Sequence, residues 1–151
     1  YKIPVSLVII DLDHFKLVND THGHAVGDKV LTEIGQLLKR LTRQHDHIAR
    51  LGGEEFGLLL THTDLETAHA VAEAFRRDIQ AMTIEHGKAK IKMTSSFGVA
   101  EHASDDTLET LMELADAKLY QAKDTGRNRV VSNSRGGLRL LSKVRRKNSV
   151  Q

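Results

Sequence analysis

The 151-residue chain contains no cysteine, which excludes disulfides and thiolate metal sites and fits a reducing, cytoplasmic setting. No apolar run approaches the length of a membrane span, and no secretory leader is visible. Internal repeats and low-complexity segments are also missing. Tyr1 stands where an initiator methionine would, so the sequence reads as a piece of a longer protein, whose upstream part could carry a sensor or a membrane anchor. At this length a single domain can bury a substantial core without staples.

The formal net charge of +2 conceals an asymmetry. Residues 134–151 hold six basic side chains (Arg135, Arg139, Lys143, Arg145, Arg146, Lys147) and no acid. Taking those six from the 22 basic residues leaves 16 against 20 acids in residues 1–133, a net of −4. The expectation is a mildly acidic domain over residues 1–133 followed by a basic, flexible tail over 134–151. Such a tail could also touch anionic lipid or nucleic acid. The basic whole-chain balance comes from the tail and is not read as nucleic-acid binding, and a polymerase-like reading is weaker still, because no template-binding thumb or basic groove is visible.

Residues 4–11, PVSLVIID, form a β-branched apolar run that ends on an acid. Residues 14–24 read as a mixed, short-helical connection. Val26, Val30, Ile34, Leu37, Leu38 and Leu41 then recur at helical spacing. The segment 47–61 reads as a hairpin. A second helix carries Leu65, Ala68, Val71, Ala72, Phe75, Ile79 and Met82 on one face, with Asp64 as its N-cap. Ile91, Met93, Phe97 and Val99 alternate as in one half-buried strand. A third helix runs from about Thr107, turns Leu108, Leu111, Met112, Ala115, Leu119 and Ala122 inward, and stops at Gly126. NRVVS reads as a short last strand. The pattern predicts an α+β fold, with helices packed on one face of a largely antiparallel sheet.

Inside the hairpin, RLGGEEFGLLL (residues 50–60) sets two glycines and two glutamates between strand-like runs. The glycines tolerate positive φ at a tight turn. Adjacent like charges at the tip are either a solvated turn or part of a cation site, and a cation site needs further oxygen ligands. Asp11, Leu12 and Asp13 supply candidates at the end of the first strand. Asp11 follows apolar residues, where an unpaired carboxylate is costly and a cation or donor partner is expected. Asp13 reads as a helix cap. Lys123 and Arg127, four residues apart, read either as cations welcomed by a helix C-terminus or as a phosphate clamp.

LVIIDLDHFKLVNDTHGHAVGD, RLGGEEF and LADAKLYQAKDTGRNRV resemble, in order and spacing, the three signature blocks of the GGDEF-type diguanylate cyclases. The resemblance runs from about Val5 to Val131. It implies a ferredoxin-like, nucleotidyl-cyclase palm, with helices packed around the sheet and the signature hairpin at the site. It implies condensation of two GTP into cyclic di-GMP plus two pyrophosphates, at two sites facing each other in a homodimer. By this resemblance Asp11, Glu54 and the Leu12 carbonyl hold two Mg²⁺ (or Mn²⁺) ions. Glu54 takes the place of the proton acceptor, Glu55 a second required acid, and Lys16 a charge-stabilising lysine. Asn19 and Asp28 match the guanine-reading positions and His24 another substrate contact; a surface histidine is the plain alternative there. Gly52 and Gly53 let the backbone approach the nucleotide, and Lys123 and Arg127 match the triphosphate pair.

Arg43-Gln44-His45-Asp46 is an Arg-x-x-Asp sequence, common by chance as surface charge. At its offset from the hairpin the resemblance makes Arg43 and Asp46 an inhibitory product site, assisted by Arg76 or Arg77. The family's usual opening helix is missing from the sequence, and the signature is the Glu-Glu variant. The competing readings are a non-catalytic module that binds cyclic di-GMP or GTP, and a cyclase of altered base choice. Asp28 argues against altered base choice, and the presence of Asp11, Glu54 and Glu55 argues against the non-catalytic module.

Overall fold

A strand with an unbroken aliphatic run can be buried on both faces, and β1 (Val5–Leu12) carries one from Leu7 to Ile10. In the computed structural model, which describes residues 3–132, it runs through the centre of a five-stranded sheet. Its neighbours are β3 (Glu55–Thr61) and β6 (Ser95–Glu101), both antiparallel to it. Outside β3 lies β2 (His47–Gly52), its hairpin partner, and outside β6 lies β7 (Val130–Ser132). The order β2-β3-β1-β6 is ferredoxin-like, and β7 extends it through the one parallel ladder of this sheet.

The alternation along β1 sorts the helices. Val8, Ile10 and Leu12 join a core with α2 (His24–Leu41) and α3 (Leu65–Ala81). Leu7 and Ile9 join a second core with α4 (Leu108–Asp124), through Leu111, Ala115 and Leu119. Helices therefore cover both faces, which corrects the one-face expectation. The reason lies in β1 and β6, which are apolar on each side and need two covers. At Gly98 the contact with α4 is immediate: a Cβ there would lie 2.1 Å from the Ala115 carbonyl oxygen and 2.3 Å from the Leu119 nitrogen.

Local signals account for the starts of α3 and α4. Asp64 caps α3 by accepting from the Thr67 amide, and Thr107 forms a reciprocal capping box with Thr110. Leu41 and Leu108, read as inward, sit exposed at helix ends. The connection after β1 contains α1 (Phe15–His22). The single strand expected from Ile91 to Val99 divides in two. Ile91 ends β5 (Ala89–Ile91), which pairs with β4 (Ile84–His86) in a separate hairpin, and the main sheet resumes at Ser95. Met93 is buried between them, so the burial alternates although the strand does not. The basic segment 134–151 lies outside the described residues.

Candidate active site

The antiparallel register of β1 and β3 sets Asp11 opposite Glu55, and that of β1 and β6 sets it opposite Ser96. The β2–β3 ladder shifts register between Arg50 and Gly52, and Gly53 and Glu54 form the tip. Gly52 has φ +150° and Gly53 +49°, and a Cβ on either would meet nothing within 4 Å. Glycine is thus required there by conformation, and the space over the tip is open. The tip is tied down on both sides: the Arg50 Nε donates to the Gly53 carbonyl, and the Leu12 amide donates to the Glu54 carbonyl.

Asp11 lies on the α4 face of the sheet, 6% exposed, and Lys123 in the last turn of α4 reaches it, with Nζ 2.5 Å from Oδ2. The sequence-based need for a cationic partner is met by a residue 112 positions away. Burial pushes the Asp11 carboxyl up, the Lys123 ammonium opposes this, and the charges of Glu54 and Asp13 add to the rise. Glu55, half-buried, is likewise pushed up by burial, then by Asp116 and Asp11. Asp116 on α4 is a contributor that motif reading missed, because only the helix packing brings it near the hairpin.

Arg127 is carried by the turn after α4, not by the helical turn its spacing implied. It does not continue the helix: α4 ends at Asp124, and Gly126, Arg127 and Asn128 all have positive φ (+127°, +63° and +47°). The Arg127 amide donates back to the Ala122 carbonyl, closing the helix end. Asp13 is not a helix cap either. The N-cap of α1 is His14, without a side-chain bond, and Asp13 is 3% exposed with three donors on its carboxylate. These are Thr94 Oγ1 at 2.6 Å, Ser96 Oγ at 2.7 Å and the Asn128 amide at 3.0 Å.

On the other side, α1 carries Asn19 and α2 carries Asp28, and Asn19 packs against Gly27. A Cβ at Gly27 would lie 1.8 Å from Asn19 Oδ1, so the amide oxygen fills the space residue 27 leaves open. That oxygen is buried without a hydrogen-bond partner. Asp28 is exposed and lines a cleft of about 570 Å³ along α2, with Thr32, Gln36, Lys39 and Arg50. Lys16 and His24 are exposed on α1 and at the start of α2.

Arg43 and Asp46 lie beyond the opposite end of β2 from the tip and bind each other. Arg43 Nε and Nη2 donate to the two Asp46 oxygens, and Nη2 also donates to the Thr61 carbonyl and Thr63 Oγ1. Of the two α3 arginines, Arg76 is engaged by Glu73, Gln80 and Asn128, whereas Arg77 is 72% exposed and 3.6 Å from Glu73.

Among the described residues no three His, Asp or Glu side chains close on one point as an ion cage. Asp11 and Glu54 with a main-chain carbonyl are a hard-oxygen set of the size Mg²⁺ accepts, since it draws its other ligands from phosphate and water. The charge of Glu54 adds to the rise at both Asp11 and Glu55, and a divalent cation would neutralise that clustered negative charge, so these residues fit it.

The family described as "Diguanylate cyclase, GGDEF domain" matches residues 1–129. Diguanylate cyclase A of Treponema denticola is 43% identical over 130 residues, spanning 85% of this chain and 35% of that protein. The GGDEF domain of DgcB from Caulobacter crescentus, solved in complex with c-di-GMP, aligns with a TM-score of 0.82 at 32% identity, over 85% of this chain and 77% of that one. The active GGEEF domain of a diguanylate cyclase from Vibrio cholerae aligns with a TM-score of 0.81 at 34% identity, over 87% and 84%. The chain spans about a third of the length of the curated relatives it matches. With its signature hairpin set against the acid end of β1 in a ferredoxin-like sheet, the chain belongs to the GGDEF diguanylate cyclase family.

Proposed function

We propose that this domain, over residues 1–133, condenses two GTP into cyclic di-GMP and two pyrophosphates. The observation that carries the reading is the meeting of three elements at one end of the sheet. Buried Asp11, the Glu54–Glu55 tip and Lys123 converge there, with the Arg127 turn alongside. In each half-reaction a 3′-hydroxyl of one GTP attacks the α-phosphorus of the other. The bond to the β-phosphate oxygen breaks, pyrophosphate leaves, and the hydroxyl proton passes to a carboxylate.

Asp11, Glu54 and the Leu12 carbonyl would hold two Mg²⁺ or Mn²⁺ ions, which when bound supply Lewis-acid stabilisation of the attacking and leaving oxygens. Glu54 or Glu55 takes the hydroxyl proton; the raised affinity of Glu55 for a proton suits a base in a partly buried site. Lys123, held at Asp11, is placed to exchange carboxylate for phosphate oxygen, and Arg127 and Lys16 add positive charge for the triphosphate. Asn19 and Asp28 offer acceptors for guanine N–H donors that adenine lacks, with His24 at the rim and Gly52 and Gly53 leaving room for the nucleotide. Because each hydroxyl attacks the other nucleotide, two domains must face each other as a homodimer aligned by an upstream segment.

The test is mass spectrometry of products from GTP and Mg²⁺ at several protein concentrations, with the chain also fused to a strong dimeriser. Cyclic di-GMP should rise more steeply than protein concentration and vanish in Glu54→Ala. Its absence even from the fusion would overturn the reading in favour of a binding module. We assign Arg43 and Asp46 to product binding. Arg43→Ala should weaken cyclic di-GMP at least tenfold in titration, since a charge-assisted bond contributes roughly 1.5–3 kcal/mol; unchanged binding would remove that site.

A further inference from the structure

Asp13 is the buried carboxylate that this chemistry does not use. It has no contact with the Lys123 ammonium among its hydrogen bonds; its oxygens are spent on Thr94, Ser96 and Asn128. Thr94 immediately precedes β6 and Ser96 lies in it, beside β1. The third belongs to the turn that carries Arg127.

That turn is strained. Non-glycine residues avoid the left-handed region, and two in succession persist only where surrounding structure over-determines them. Here the determinants can be named. Asp13 Oδ2 accepts the Asn128 amide, and Arg76 Nη1 donates to Asn128 Oδ1 at 2.9 Å. Arg76 is itself fixed by two bonds to Glu73 and one to Gln80. Asn128 is gripped by its backbone from the sheet and by its side chain from α3.

We propose that Asp13 is a positioning residue: its carboxylate, supported by the Arg76 grip, locks the left-handed Arg127–Asn128 turn to the strand end that carries Asp11. The two ends of the site, acids for the α-phosphate and cations for the terminal phosphates, are thereby held at one spacing. This rests on the triphosphate reading of Lys123 and Arg127. Asparagine at position 13 keeps the two-acceptor oxygen toward Thr94 and Asn128, and its amide can donate to the Ser96 hydroxyl. Hydrogen bonding, not charge, is what the role requires.

The test is titration of the chain with a GTP analogue carrying a methylene between its α- and β-phosphorus, in Mg²⁺, together with amide hydrogen exchange. Asp13→Ala should weaken the analogue about tenfold or more, as misplacement of a binding group does, and speed exchange of the Asn128 amide while Val8 and Ile9 stay protected. Asp13→Asn should restore both to within about twofold of the parent, on the hydrogen-bond equivalence just given. Adding Asp13→Ala to Arg127→Ala should cost no further affinity, because the turn then holds nothing. Arg76→Ala, which removes the guanidinium that holds the Asn128 side chain, should weaken the analogue and loosen Asn128 in the same direction.

Unchanged affinity and exchange in Asp13→Ala would overturn the proposal. So would equal losses in Asp13→Ala and Asp13→Asn that disappear without Mg²⁺, which would make Asp13 a metal ligand. If the parent chain does not take the analogue, the triphosphate reading fails, and Asn128 exchange still decides whether Asp13 holds the turn.

Discussion

At the scale of single residues, an acid at the end of an apolar strand proved more informative than any spacing rule. Asp11 announced a missing cation, and the fold supplies Lys123. The partner itself was illegible, because nothing local ties residue 123 to residue 11. Asp13 misled for the opposite reason: an acid before a helix resembles a cap, and only the sheet shows its carboxylate turned inward to Thr94 and Ser96. Gly27 was likewise silent in sequence. Its lack of a side chain gives Asn19 its place, so Gly27→Ala must displace the Asn19 amide. GTP affinity should fall about tenfold or more, with preference over ATP reduced, if a buried acceptor for guanine is lost. Parallel titrations with the two nucleotides check this; unchanged preference would detach Asn19 from base reading.

Among the elements, long amphipathic helices and the aliphatic strand were readable because periodicity survives whatever packs against it. Short elements were not. α1 has eight residues and a cap with no side-chain bond, and β4 and β5 have three each, too few for a pattern. The Ile91–Met93–Phe97–Val99 alternation spanned a break because burial, not strand pairing, sets that pattern. The contact of α4 with β6 also escaped notice, since a glycine in a strand reads only as a weak position. Gly98→Ala should destabilise the domain by about 3 kcal/mol, the cost of overpacking against backbone that cannot turn aside. Urea unfolding measures it, and a loss under 1 kcal/mol would mean that α4 slides easily on the sheet.

For the molecule as a whole, ionisation links local bonds to global stability. The Arg76 bonds hold Glu73 below the usual carboxylate range, and the Thr67 amide does the same for Asp64. Burial pushes Asp46 up, but bonds from Arg43 and the Thr61 amide outweigh it and leave it lowered. A carboxylate whose folded pKa lies below its unfolded one stabilises the fold above the unfolded value. That contribution is lost as pH falls through the folded value, so unfolding midpoints should drop on acidification below the ordinary carboxylate range. Glu73→Gln should flatten that acid limb; an unaltered limb would show that the Arg76 bonds do not persist in solution. Asp11 and Glu55 are shifted the other way and oppose folding where they are ionised. The touching backbones at Gly98 bear on the same acids from a distance. With no side chain between them, helix and strand meet like machined faces without a gasket, leaving no slack for the helix to creep along the sheet. The alignment of Lys123 with Asp11 is therefore gauged by an absent methyl group in the neighbouring strand.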